Sequence, residues 1–124
     1  MKQIIIDATK YSPRVELNPE GEMIIQGRSI LEDPTAFYNP IINWIKNCSV
    51  KVFTLEARIE YMNTSSSKMV FTLLEAVKEN YNLKEVYIKW FYEEDDEDMF
   101  EIGKDYESMI HIPIDFYEYT DHHV

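Results

Sequence analysis

Tyr61-Met62-Asn63-Thr64-Ser65-Ser66-Ser67-Lys68 joins a stretch patterned as a strand to one patterned as a helix. Upstream, Val50 to Met62 alternates around Val52, Thr54/Leu55, Ala57, Ile59 and Tyr61, the two-residue period of a long central strand. Downstream, Val70, Leu74, Val77 and Tyr81, with Leu73 beside them, recur at helical spacing. Between the two lie five small polar residues, Asn63 to Ser67, placed where the first helical amides lack partners. An oxyanion there, including a phosphate carried on one of the hydroxyls, meets those amides and the positive end of the helix dipole. Two compatible readings follow. Asn63 or Thr64 is a helix N-cap, worth about 1 kcal/mol, and the hydroxyl cluster is a phosphorylation switch on a small binding domain.

Working outward, Gln3 to Ala8 reads as a short first strand, and Arg14 to Leu17 and Glu22 to Gln26 as two more. Asn18-Pro19-Glu20-Gly21 supplies the turn chemistry of a hairpin between them. Gly27 to Leu31 is expected to leave the hairpin as a loop. Asp33-Pro34 pairs a cap with an N1 proline, and Phe37, Ile41, Trp44, Ile45 and Cys48 share one helix face. Pro40 would kink that helix, so a regular helix capped by Asn39 and starting at Pro40 is the favoured reading. Glu85 to Tyr92 is an aromatic and β-branched buried strand. From Met99 a third helix aligns Met99, Ile102, Tyr106 and Met109/Ile110. Ile112 to Tyr119 is a terminal strand, with Pro113 marking it as an edge, and Thr120 to Val124 is expected to fray. The order β, ββ, α, β, α, β, α, β predicts an α/β fold: one compact domain over residues 1–124, a mixed sheet with an N-terminal hairpin and three helices. Ligand or partner sites are expected at strand C-terminal ends.

A chain of 124 residues with 45% apolar content is long enough for one core without disulfide or metal. Twelve basic against 23 acidic residues give a net charge of −11, which repels phosphate backbones and anionic membranes and favours basic protein partners. Cys48 is the single cysteine, which removes an intrachain disulfide and a zinc-binding cysteine cluster and fits a reducing cytoplasm. Asp7 interrupts the opening isoleucines too early for a signal peptide, and no apolar run approaches a membrane span.

Glu93-Glu94-Asp95-Asp96-Glu97-Asp98 lacks the spaced ligands and glycine of a calcium loop. It reads as a solvated loop whose later members favour the third helix, or as a surface for a basic patch on a partner. His111, His122 and His123 have no third ligand spaced for a metal. No nucleophile elbow, P-loop or dinucleotide fingerprint is present. Two further readings of the junction remain: a small-anion-binding or hydrolytic domain using the helix N-terminus at Thr64–Ser66, and a constitutive acidic scaffold.

The octapeptide at residues 61–68 resembles the YxNTSSxK signature of the SiaC-type regulatory phosphoproteins of bacteria. Gly27-Arg28-Ser29 through Glu32-Asp33 to Phe37-Tyr38 and Trp44 is similar to a second stretch of that family. Trp90-Phe91-Tyr92 with Asp95 to Met99 and Glu101-Ile102-Gly103 is similar to a third, and the likeness spans about residues 9 to 117. Ile30-Leu31 stands where the family commonly has Tyr-Pro. The resemblance implies a fold like the anti-sigma-factor antagonists (STAS-like), with no enzymatic activity and no cofactor. It implies that Thr64 is phosphorylated by a dedicated kinase and dephosphorylated by a metal-dependent phosphatase, with Asn63, Ser65, Ser66 and Lys68 on the switch surface. It further implies that the unmodified form binds and activates a diguanylate cyclase, tuning cyclic di-GMP and biofilm formation.

Overall fold

The hairpin chemistry acts as expected. Gly21, at φ +104°, closes the turn with its amide on the Asn18 carbonyl at 2.9 Å, and the Asn18 side chain accepts from the Glu20 amide. It joins β2 (Arg14–Asn18) to β3 (Glu22–Ser29), and β1 (Ile4–Ile6) adds antiparallel to the outer side of β2. Then follow α1 (Pro34–Lys46), β4 (Val52–Met62), α2 (Thr64–Glu79), β5 (Glu85–Glu93), α3 (Glu97–Ile110) and β6 (Ile114–Tyr119). The computed structural model describes residues 2–120.

The six strands lie in chain order across one sheet, and β3 to β6 run parallel. Each parallel step needs a crossover, and three right-handed crossovers moving the same way put α1, α2 and α3 on one face. Burial agrees with that layering. Along β4 alternate residues Phe53, Leu55, Ala57 and Ile59 are buried in a single cluster with Ile41, Ile45, Leu73, Leu74, Val77 and Ile110 from the helices. This is one compact α/β domain with a mixed sheet, an N-terminal hairpin and three helices. No helix among the described residues is long and apolar enough to cross a membrane.

Four expectations change. Gly27 to Ser29 is not a loop: β3 continues to Ser29, because a bulge lets it stay paired with β4. Gly27 faces Ile59 and Arg28 faces Tyr61, so Glu60 is the extra residue. Helix α1 starts at Pro34 rather than Pro40. Ala36 and Pro40 both lie on its exposed side, so the carbonyl that loses a partner to Pro40 faces water. Ile41, Trp44, Ile45 and Cys48 are buried as expected, but at the start of that face Tyr38 is fully buried and Phe37 only half-buried. Tyr81 is 87% exposed. The chain leaves α2 at Asn80, whose buried side-chain amide donates to the Ile45 and Cys48 carbonyls at 2.8 Å each and ties the ends of α2 and α1 together. The tail expected to fray lies outside the described residues except for Thr120, whose hydroxyl donates to Glu94 at 2.6 Å.

Helix α3 approaches the sheet closely at Gly103. A Cβ there would stand 2.7 Å from both Phe116 Cε1 and Trp90 Nε1, and that indole already donates to the Met99 carbonyl at 3.0 Å. Trp90 is fully buried and has no room to retreat, and Phe116 is packed against the same core. Gly103→Val should therefore lower stability by about 1–3 kcal/mol, as overpacking does. Urea unfolding will show this as a lower midpoint at unchanged slope, and a midpoint equal to wild type would contradict the close approach.

Candidate functional site

At Glu60 the parity of β4 flips. Met62 turns into the core, Tyr61 turns out with 53% exposure, and the chain reaches Asn63 in an extended conformation (φ −76°, ψ 170°). The Asn63 amide donates to the Ser29 carbonyl at 3.0 Å, which prolongs the sheet by one bond. Its side-chain oxygen accepts from the Ser66 amide at 3.0 Å, the N-cap of α2. Its side-chain nitrogen donates to the Leu31 carbonyl at 3.1 Å. One side chain thus joins β4, α2 and the loop that carries Ile30-Leu31. That loop is held on its other side by the Ile30 amide, which donates to Tyr11.

With Asn63 as the cap, Thr64 is the first helical residue. Thr64, Ser65 and Lys68 are exposed, and Ser67 is half-buried. Among the described residues the amides of Thr64 and Ser65 have no protein acceptor, and the Thr64 hydroxyl is hydrogen-bonded to no histidine or carboxylate. Lys68 lies four residues on, on the same side of the helix as Thr64. Ser66 is a correction. It is completely buried, its hydroxyl lacks a hydrogen-bond partner among the described residues, and it belongs to the core side of α2, not to an exposed switch surface. A helix turns 100° per residue, so a run of five polar residues cannot all face water.

Two buried tyrosines support the junction from below. Tyr38 shares a 2.7 Å hydrogen bond with Ser29, and Tyr106 donates to the Ser67 carbonyl at 2.7 Å, linking α3 to the first turn of α2. Burial raises the Tyr38 pKa from 10.0 to about 12, against the opposing effect of its Ser29 bond. Burial likewise raises Tyr106 to about 12; its Ser67 bond opposes this and the nearby Tyr38 adds to it. In the sequence Tyr106 was marked only by its apolar spacing in the third helix, and Tyr38 only by its place in a stretch resembling the family.

The acidic run is structural in its second half. Asp96 caps α3 by accepting from the Met99 amide at 3.0 Å, and Glu97 and Asp98 occupy the favourable first turn. An acidic groove of about 530 Å³ opens beside it, lined by residues that include Tyr92, Glu94, Glu101 and Glu118. No group of three or more potential metal ligands forms among the described residues. His111 ends α3 in the left-handed conformation (φ 59°), and the His122–His123 pair lies outside the described residues.

A family model matches nearly the whole chain. The SiaC family regulatory phosphoprotein model covers residues 6–119. The chain belongs to that family. An uncharacterized protein of Pseudomonas aeruginosa (strain UCBPP-PA14) is 23% identical over 91% of this chain and 94% of its own length. Apo-SiaC from Pseudomonas aeruginosa superposes with a TM-score of 0.84 at 22% identity, covering 94% of this chain and 99% of that one. The crystal structure of the diguanylate cyclase SiaD in complex with its activator SiaC, from the same organism, gives 0.85 at 21% with the same coverage. The fold described above is therefore the SiaC fold.

Two outcomes test the site's architecture. Asn63→Ala removes the cap and leaves the Leu31 carbonyl without its donor, so it should cost about 1–2 kcal/mol. Thr64→Ala touches no such bond and should stay within about 0.5 kcal/mol of wild type. Thermal melts of both variants compare the two losses directly. As for pH, the unfolded chain releases tyrosine protons near 10 while the folded chain holds those of Tyr38 and Tyr106 to about 12. Their contribution is complete below pH 10 and disappears as the pH rises through the folded values. Urea midpoints should fall across that alkaline window, and Tyr106→Phe should make the fall shallower. An identical slope in the variant would remove Tyr106 from the account.

Proposed function

We propose that this member of the SiaC family is a non-enzymatic partner switch in the cytoplasm, thrown by phosphorylation of Thr64. A protein kinase adds the phosphate and a metal-dependent phosphatase removes it. The unmodified form binds and activates a diguanylate cyclase or similar effector. The observation that carries the reading is the exposed Thr64 at the first position of α2, with the cap made by its neighbour.

That division of labour matters physically. Asn63 does the capping, so a kinase can take the Thr64 hydroxyl without unpairing the helix. The new group carries about −1.5 to −2 charge and lies beside the open amides of Thr64 and Ser65, the positive end of the helix dipole, and the Lys68 ammonium one turn on. The fold accommodates the dianion, and its cost falls on a protein docked against this surface through repulsion and desolvation. Ser65 and Lys68, both exposed, share that surface, and Asn63 holds it in place. Support for the effector class comes from the SiaC relative, described as the activator of the cyclase SiaD.

Incubation with the cognate kinase and ATP should add one phosphate to the wild-type chain and none to Thr64→Ala, read by intact mass. Against the diguanylate cyclase of the same cell, Thr64→Glu should weaken binding on the order of tenfold, about 1.4 kcal/mol, while Thr64→Ala binds like wild type. Phosphate uptake by Thr64→Ala would move the site, and equal binding by both variants would remove the switch.

A further inference from the structure

The sheet face opposite the helices is covered by no described element, and its residue pattern points to a second copy of this chain. Strand register fixes two neighbouring rows on that face. One row runs Arg14, Gln26, Arg58, Phe91, Tyr117, and the adjacent row runs Glu16, Ile24, Glu56, Lys89, Asp115. The first is cationic and aromatic, the second mostly acidic. These two rows balance three cationic against three acidic side chains in a chain of net charge −11, so a second copy meets little repulsion across them.

The rows are complementary to each other. Two sheets related by a two-fold axis that lies between them and runs along the rows would place each row over its neighbour's partner row. Arg58 of one copy would then face Glu56 of the other, and Arg14 would face Glu16. Phe91 would meet Lys89, an ammonium over a ring, and Tyr117 would meet Asp115. Such an isologous arrangement makes every contact twice.

Arg58 is already set for this. Its guanidinium lies 4.5 Å from the centre of the Phe91 ring and 5.0 Å from that of Tyr119, and Phe91 in turn stacks on Tyr117 at 5.0 Å. It forms no ion pair with any described carboxylate, although Glu56 stands two residues away on its own face, whereas Arg14 is paired with both Asp7 and Glu16. A clamped guanidinium loses little side-chain freedom on meeting a carboxylate, and Arg and Tyr are the residue types that dominate interface energetics. The size also suffices. Six strands about 4.8 Å apart and about 20 Å long give roughly 600 Å² before side-chain relief, near the ~800 Å² per partner of a stable interface.

We propose that the chain forms a face-to-face dimer through this bare sheet surface, held by reciprocal Arg58–Glu56 pairs. The proposal does not depend on Thr64 or on any effector. Sedimentation velocity across a concentration series should show wild type moving towards twice the mass of one chain, and added salt should weaken the association. Arg58→Glu and Glu56→Arg should each remain monomeric while keeping the wild-type circular dichroism spectrum. Mixed in equal amounts, they should associate, since Glu at 58 then meets Arg at 56 and the native pair survives on the other side. A wild-type chain that stays monomeric over the whole series overturns the proposal. So does a dimer that Arg58→Glu leaves intact, or a mixture of the two variants that fails to associate although both are folded.

Discussion

Asn63 ends the parallel sheet and begins α2 with the same few atoms. Its backbone amide goes to Ser29, its side-chain oxygen to the Ser66 amide, and its side-chain nitrogen to the Leu31 carbonyl. Donor and acceptor on one planar amide make the direction of the helix and the position of the Leu31 loop interdependent. An aspartate would cap as well but would set a carboxylate against the Leu31 carbonyl; a serine would reach only the helix. The bulge at Glu60 supplies the other half of the constraint. If β4 ran on from Ile59 through Glu60 with regular alternation and no bulge, Met62 would point away from the core, and the whole junction would be rotated to the opposite face of the sheet.

This explains why an exposed threonine can sit at a helix start without being consumed by it. A lone Ser or Thr at the junction would serve as the cap itself, and modifying it would remove a bond the helix needs. Here the cap and the modifiable hydroxyl are adjacent but separate residues. Phosphate chemistry at Thr64 and stability at Asn63 are therefore nearly independent quantities, the arrangement a reversible mark requires. The tyrosine bond beneath, from Tyr106 to the Ser67 carbonyl, fixes the same turn from the α3 side.

Much of this was readable from residues alone, and the failures have definite causes. The alternation through Phe53, Leu55, Ala57 and Ile59, the hairpin turn, and the order of elements needed only local periodicity, which the structure keeps. The bulge was not legible, because it is a property of register between β3 and β4, and neither strand states it separately. Ser66 was misplaced because a run of similar small residues carries no phase; only the apolar positions Val70 and Leu73 further on could have shown that it falls on the buried side. Pro40 misled through a valid rule. Prolines break helices when the orphaned carbonyl is buried, and here it is wet. Tyr81 continued the apolar period by coincidence, and only the long-range bonds of Asn80 to α1 reveal where α2 stops.

Charge is the remaining organising quantity. The acidic excess has local uses at α3, where Asp96 accepts the Met99 amide and Glu97 and Asp98 favour the helix start. The one helix start with no acidic residue in its first turn and a side-chain cap is that of α2, and α1 has neither an acidic first turn nor a side-chain cap. So the positive end of the α2 dipole is left uncompensated in a chain that has carboxylates to spare. A carboxylate there would stabilise the helix permanently and repel a phosphate at the same time. Leaving the position to neutral hydroxyls keeps the favourable potential available for a charge that comes and goes.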